Sequence, residues 1–321
     1  MRGGGGPIRF HDHHPQGVGL REAVMAGLAT EPKAIPPKFF YDERGSRLFD
    51  AICRQPEYYL PGCERRILSE YAGEIAGLAG QRAVVIEPGA GNGEKVRLLL
   101  EALRPAAYLP MDISGAYLRA SAEALAADYP WLEVQAICAD FSTDIALPDE
   151  LPPGRRLVFF PGSSLGNFDP DEARDLLGRL RRLAGAGGML LIGVDTKKPR
   201  ELLDAAYNDR GGVTAAFNLN LLERINRELG ADFDLAGFRH EAFYDVRRGR
   251  VEMHLVSRVE QEVRIDGCRF RFGAGERLHT ECSYKYAPDE FVALAGAAGL
   301  TPAGQWSDAK GWFGVYLLAV A

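Results

Sequence analysis

Residues 84–93 read V-V-I-E-P-G-A-G-N-G. An apolar run closes on an acid, three glycines follow at every second position, and residues 94–103 continue with helical spacing. A strand that stops at Glu87 and turns at Gly89 and Gly91 brings bare backbone against a ligand, because glycine lacks a Cβ and tolerates positive φ. The spacing also bears on ligand class. G-x-G-x-x-G sets a helix N-terminus against a pyrophosphate, whereas E-x-G-x-G-x-G suits a smaller nucleoside that carries no phosphate.

Working outward from this loop, strand one spans 83–87 and is preceded by a helix over 64–79. Strand two covers 107–111 and ends in Asp112, and its helix runs from Ser114 to the breaker Asp128-Tyr129-Pro130. Strand three, 132–137, leads to Asp140-Phe141, and strand four, 156–160, to Pro161-Gly162-Ser163. The next helix has Asp169 as N-cap, Pro170 at its first position, Glu172 three residues after the cap, and Leu176, Leu177, Leu180 and Leu183 on one face. Strand five is 189–195. This alternation predicts an α/β fold with a mostly parallel sheet and ligands at the carboxyl ends of its strands.

Beyond Lys197 the pattern changes to long helices (200–208 and 214–228) and then to alternating strands over 238–283, the signature of an inserted lobe. A helix over 288–298 and a hairpin of 301–305 with 314–319 close the chain, and the hairpin puts one antiparallel strand into the sheet. The expected organisation is a flexible tail over 1–18, a nucleoside-binding domain over 62–197 and 286–321, and an α+β substrate domain over 19–61 and 198–285.

The chain has 321 residues, 46% of them hydrophobic, enough for a full α/β core and a second lobe. A net charge of −6 lacks the basic footprint of phosphate-backbone binding, so a nucleic-acid partner is not expected. No apolar run is long enough to cross a bilayer and the glycine-rich start is no secretory signal, so a cytoplasmic enzyme without a membrane partner is expected. The five cysteines include no C-x-x-C pair, consistent with reduced thiols and no zinc site. His11, Asp12, His13 and His14 could take a stray metal ion but fall in the expected tail.

Asp112, closing strand two, can accept hydrogen bonds from both hydroxyls of a ribose. Asp140 and Phe141, closing strand three, can supply an acceptor for an adenine amino group beside an aromatic wall. With Glu87 and Gly91 these positions fall in register and point to S-adenosylmethionine. The chemistry this implies is in-line displacement at a sulfonium methyl, for which the protein mainly positions and desolvates the reactants. An amine acceptor must present a free lone pair, and its pKa lies near about 8. Its neighbours should therefore be dipoles rather than a close carboxylate. Asn167, in G-S-S-L-G-N-F, suits that task, and a turn residue in a Gly-rich loop is its plain alternative.

Several longer stretches carry a family likeness: P-P-K-F-F-Y-D-E-R-G-S-R-L-F-D (36–50), P-E-Y-Y (56–59), G-S-S-L-G-N-F (162–168), G-V-T-A-A-F-N-L-N (212–220), R-E-L-G-A-D-F-D (227–234) and T-E-C-S-Y-K-Y (280–286). From about Glu22 onward the chain resembles the histidine-specific Nα-methyltransferases of ergothioneine biosynthesis. The fold implied is the class I S-adenosylmethionine-dependent methyltransferase, Rossmann-like, with a second substrate-binding domain. The activity implied is three successive methylations of L-histidine to hercynine by a monomer.

By that resemblance the cofactor site comprises Tyr41, Gly89, Lys95, Asp112, Asp140 and Phe141, and the histidine site Tyr58, Gly162, Asn167, Tyr207, Met253, Glu281 and Ser283, with Phe49 nearby. Tyr58 and Asn167 are the expected catalytic pair. Glu281 and Ser283 share one face of a predicted strand, where a carboxylate and a hydroxyl can satisfy both imidazole nitrogens. Tyr207 and Asn167 can fix the carboxylate and amine of the amino acid. Tyrosine rings there also favour a quaternary ammonium product through cation–π contact. The chain departs from the family pattern at Leu60-Pro61-Gly62-Cys63, ahead of Glu64, and in the wording of its glycine loop.

Two rivals stand beside this reading. One keeps the chemistry but takes tryptophan or tyrosine; Glu281 argues for imidazole, since a buried carboxylate left without a donor costs about 1–3 kcal/mol. The other is a non-catalytic S-adenosylmethionine-binding protein. A nucleic-acid or protein methyltransferase is disfavoured by the absence of a [DNS]-P-P-[YF] tetrapeptide and by the negative charge.

Overall fold

In the computed structural model, which describes residues 8–13 and 19–320, the V-V-I-E-P run is an inner strand of an eight-stranded sheet, every residue of it buried. In chain order the first elements are β1 (Arg9–Asp12), α1 (Leu20–Leu28), β2 (Lys33–Ala34), α2 (Glu43–Ile52), α3 (Leu60–Glu70), α4 (Ala72–Ala79), β3 (Val84–Pro88) and α5 (Glu94–Leu103). Then come β4 (Ala107–Asp112), α6 (Gly115–Asp128), β5 (Glu133–Cys138), β6 (Arg156–Phe160), α7 (Pro170–Ala184), β7 (Met189–Asp195), α8 (Arg200–Tyr207) and α9 (Val213–Leu229). The chain ends with β8 (Phe238–Asp245), β9 (Arg250–Ser257), β10 (Gln261–Ile265), β11 (Cys268–Phe272), β12 (Arg277–Tyr284), α10 (Pro288–Ala297), β13 (Leu300–Ser307) and β14 (Phe313–Val320).

Two compact units divide these elements. The first holds the described residues among 1–15, 60–197 and 285–321, the second those among 16–59 and 198–284. In the first unit the sheet order is β1-β5-β4-β3-β6-β7-β14-β13. Strands β1 to β7 of this sheet pair in parallel, and β14 runs antiparallel to both β7 and β13. The apolar content of β3, β4 and β7 follows from this topology, because inner parallel strands are covered on both faces. The chain winds outward from β3 to β5 and then returns to β6, so the loops after β3 and β6 leave a crevice at the carboxyl edge.

Two expectations for this unit need correction. Residues 9–12 are not part of a flexible tail: they form β1, paired in parallel with β5, with Phe10 under the guanidinium of Arg119 at 3.8 Å. Four residues of mixed polarity give no local strand signal, and the pairing is supplied by the open edge of β5. Residues 1–7 and 14–18 of the expected tail, including His14, lie outside the described residues. The helix expected over 64–79 is two helices, beginning at Leu60 and interrupted at Tyr71, whose φ of −105° and ψ of 12° leave the helical region. Pro61 fits the first helical turn, where its missing N–H is not needed.

The second unit pairs β2-β12-β9-β8 into one sheet and β10 with β11 into a hairpin. Helices α8 and α9 lie against the sheet, and Leu203, Phe217, Leu221, Leu222 and Ile225 join Ala242, Met253, Leu255 and Leu278 in one core. The register of β12 against β9 slips between His279 and Glu281: Leu278 faces Leu255 and His279 faces His254, but Glu281 faces Met253. One extra residue, Thr280, is absorbed there, and its hydroxyl donates to the Met253 carbonyl at 3.1 Å. All five cysteines are free thiols. Among the described residues no helix is long and apolar enough to cross a membrane.

Candidate active site

In the first unit the glycine loop is held to the Asp112 carboxylate and to the β4 backbone. Gly89 has φ +71°, and a Cβ on it would come within 3.3 Å of the Phe141 ring, so the bare backbone and the aromatic wall fit each other. The Gly89 and Ala90 amides donate to the Met111 carbonyl at 2.8 and 2.9 Å, which anchors the loop to β4. Asp112 at the end of β4 accepts from the Gly91 amide at 3.1 Å and from the Ser114 amide at 2.9 Å. Burial raises its pKa, and these N–H bonds oppose the shift. The loop and Asp112 are therefore joined by hydrogen bonds at the carboxyl end of β4.

Asp140 is buried and accepts at one oxygen from the amide and the hydroxyl of Ser142, at 2.9 and 2.6 Å. Phe141 stands edge-on to Phe160 at 5.5 Å and to Phe168 at 6.5 Å. Glu87 is 1% exposed and accepts a hydrogen bond from Tyr108 Oη at 2.6 Å. Burial pushes its pKa up to about 8, against the pull of the Tyr108 hydroxyl and the Lys95 charge. Its carboxyl is thus committed to β4. Lys95, in the first turn of α5, holds Glu64 Oε2 at 2.6 Å. Gly162 follows β6 with φ +86°, and Asn167 closes the short 3-10 helix Ser164–Asn167.

The second unit gathers the other predicted residues. Phe49, Tyr58, Tyr207, Met253 and Glu281 line a small cavity together with Ile52, Ala206, Thr214 and Phe217. Its walls are apolar and aromatic apart from the Thr214 hydroxyl, the two phenols and the Glu281 carboxylate, so one acid stands in a surrounding that selects a compact, partly apolar ligand. Glu281 and Ser283 stand on the β12 face opposite Met253 and Val251, and Tyr207 Oη donates to Ser283 Oγ at 2.9 Å. Rings meet edge to face around the cavity: Tyr58 with Tyr207 at 5.9 Å, and Phe49 with Tyr58 at 6.5 Å. Burial, then the neighbouring Tyr207, Cys53 and Glu281, hold the Tyr58 phenol well above its ordinary pKa, so it stays a neutral hydroxyl.

Tyr41 belongs to this second unit, edge-on to Phe49 and to Phe217, each at 5.7 Å, whereas Gly89, Lys95, Asp112, Asp140 and Phe141 belong to the first. Gly162 and Asn167 also belong to the first unit, while the remaining expected histidine contacts lie in the second. Sequence reasoning passed over Glu64, Tyr108, Thr214 and Phe217. Thr214 and Phe217 lie in the quoted G-V-T-A-A-F-N-L-N stretch. Tyr108 had a signal of its own, since a tyrosine in a buried strand needs a partner for its hydroxyl.

Comparison with known proteins places the chain in a family. A family model described as "Histidine-specific methyltransferase, SAM-dependent" matches residues 20–320. The chain is 42% identical to the histidine N-alpha-methyltransferase of Mycolicibacterium smegmatis, over 93% of this chain and 94% of that protein. It is 41% identical to the Mycobacterium tuberculosis protein of the same name, over 94% and 95%. With ergothioneine biosynthesis protein 1 of Neurospora crassa the identity is 30%, over 93% of this chain but 36% of that protein. The chain therefore belongs to the histidine-specific, S-adenosylmethionine-dependent methyltransferase family.

Proposed function

We propose that this enzyme methylates the α-amino group of L-histidine three times, giving hercynine and releasing S-adenosylhomocysteine at each turn. The observation that carries the reading is the cavity in the second unit, where Glu281 lies among the aromatic rings Phe49, Tyr58, Tyr207 and Phe217. An imidazole N–H is a donor suited to the Glu281 carboxylate, and Ser283, one strand period away on the same face, can serve the second ring nitrogen. An indole has one N–H and no acceptor, and a phenol no ring nitrogen, so tryptophan and tyrosine fit this pair less well.

The residues of the first unit fit S-adenosylmethionine: a Cβ at Gly89, whose φ is positive, would crowd the Phe141 ring, and the Asp112 carboxylate stands beside the loop. When bound, that group supplies a methyl on a positively charged sulfur, open to attack by an amine lone pair. Asp112 would accept from the ribose hydroxyls, while Asp140 and Phe141 would hold the adenine. Lys95 is the expected cationic contact. Asn167 keeps a neutral dipole for the substrate amine and so avoids holding it protonated. Tyr58, a neutral phenol, offers its hydroxyl to the amine and its ring to the growing ammonium charge. Because a cation–π contact needs no N–H, it survives the loss of the last amine proton and lets methylation run to completion.

Mass spectrometry after incubation with S-adenosylmethionine and an equimolar mixture of the standard amino acids tests the reading. Histidine heavier by three methyl groups is the expected product. Methylation of another amino acid, or of none, refutes it.

A further inference from the structure

Glu64 sits in the second turn of α3, where the side chain is 1% exposed. A carboxylate so far from water needs strong partners, and it has them. The Gly162 amide donates to both oxygens, at 2.9 and 3.0 Å, and Lys95 Nζ lies 2.6 Å from Oε2. The surroundings are shaped for this arrangement. Gly193, in the middle of β7, has no side chain where a Cβ would come within 2.0 Å of Glu64 Oε1 and 2.9 Å of Phe313. A Cβ on Gly162 would come within 3.1 Å of Lys95 Nζ.

We propose that Glu64 is a positioning residue that ties the Lys95 side chain to the Gly162 backbone, so that one buried carboxylate sets both the first turn of α5 and the turn after β6. A buried ion pair is a weak source of stability compared with apolar packing, because desolvation offsets most of the attraction. What it gives is geometry. The Lys95 side chain is 24% exposed, and without Glu64 its ammonium is free to turn toward water or toward Glu87, whose pKa already feels its charge. The Gly162 amide would lose its acceptor in a turn whose φ of +86° glycine adopts readily and other residues do not. Glu64 acts through its two partners, Lys95 and Gly162. The proposal rests on the functional reading above, in which Lys95 contacts the cofactor and Gly162 the histidine.

The test is a double-mutant cycle on S-adenosylhomocysteine binding, measured by titration calorimetry with wild type, Glu64→Gln, Lys95→Met and the double variant. Glutamine keeps an acceptor for Gly162 but removes the charge that holds Lys95. Glu64→Gln should therefore weaken binding at least about tenfold, the loss of one charge-assisted hydrogen bond, and raise the KM for histidine while the melting temperature stays near that of wild type. The double variant should bind no more weakly than Lys95→Met alone, because the two residues act as one unit. Binding by Glu64→Gln within twofold of wild type, or independent effects in the cycle, overturns the proposal. Should Glu64→Gln fail to fold, the double variant, which buries no unpaired charge, decides the matter by its comparison with Lys95→Met: weaker binding than that single variant overturns the proposal, and equal binding upholds it. A wild-type enzyme that binds S-adenosylhomocysteine but leaves histidine unmodified defeats the functional reading, while the binding cycle still judges Glu64.

Discussion

Tyr108 Oη donates to Glu87 Oε2 across 2.6 Å between two inner strands, and both groups are 1% exposed. Burial raises the Glu87 pKa from 4.5 to about 8. The folded protein therefore binds a proton at this site that the unfolded chain releases. That contribution to stability is complete below the unfolded value of 4.5 and is lost as the pH climbs through about 8. Glu87→Gln, which imitates the neutral acid, should melt close to wild type in mildly acidic buffer and progressively above it in alkaline buffer. A difference in melting temperature that does not change with pH would show that Glu87 is already ionised in the fold.

Asp112→Ala removes the acceptor at the end of β4 and frees the Gly91 and Ser114 amides. Affinity for S-adenosylhomocysteine should fall about 10–100-fold, as expected for hydrogen bonds to a charged group. Asp112→Asn should lose less, because one oxygen remains. Calorimetry separates the three proteins, and equal affinities would remove Asp112 from the cofactor site.

In the second unit the cost should fall on the other substrate. Glu281→Ala is expected to raise the KM for histidine by about 10–100-fold, and Ser283→Ala by about fivefold, with S-adenosylhomocysteine affinity within twofold of wild type in both. Loss of cofactor affinity equal to loss of histidine affinity would contradict the assignment of the two ligands to different carboxylates. Initial rates at saturating cofactor, paired with calorimetry, make the comparison.

Lys285 Nζ and Asp195 Oδ2 are 2.8 Å apart, and neither side chain has any exposure. Lys285→Met leaves a buried carboxylate without its counter-charge and should cost about 3–5 kcal/mol in denaturant unfolding. Replacing both residues, as Asp195→Asn with Lys285→Met, should cost clearly less than the single change. If the double variant were the less stable of the two, the pair would not be the main partner of either residue.

Where local signals and tertiary structure agreed, the sequence could be read almost to the residue. Strands 156–160 and 189–195 and the capped helix at Pro170 have the bounds their residues indicate, because buried parallel strands are unbroken apolar runs and the Asp169–Glu172 capping box is a local contact. The reversed strand β14 also follows from its hairpin. What escaped depends on partners distant in the chain. β1 exists because β5 offers an edge. Gly62 discourages a helix that tertiary packing nonetheless starts at Leu60. By spacing alone Glu64 reads as an ordinary helical surface charge, and only Gly162 and Lys95, remote in the chain, account for its burial. Glu281 and Ser283 were legible as neighbours on one face, but plain alternation would have added His279 to them, and the slip at Thr280 sends His279 to the opposite side.

On the proposed function, that slip makes the choice of amino acid a matter of counting. Were the spare residue of β12 stored beyond Ser283 instead of at Thr280, Thr280 and Cys282 would stand opposite Met253 and Val251, and Glu281 would turn outward. A hydroxyl and a thiol would then greet the incoming side chain in place of an acid and an alcohol, with the wording of the strand itself unaltered. Relocating one irregularity along an edge is thus a short evolutionary route to a new taste in substrates, one that leaves the methyl-donor half of the enzyme as it stands.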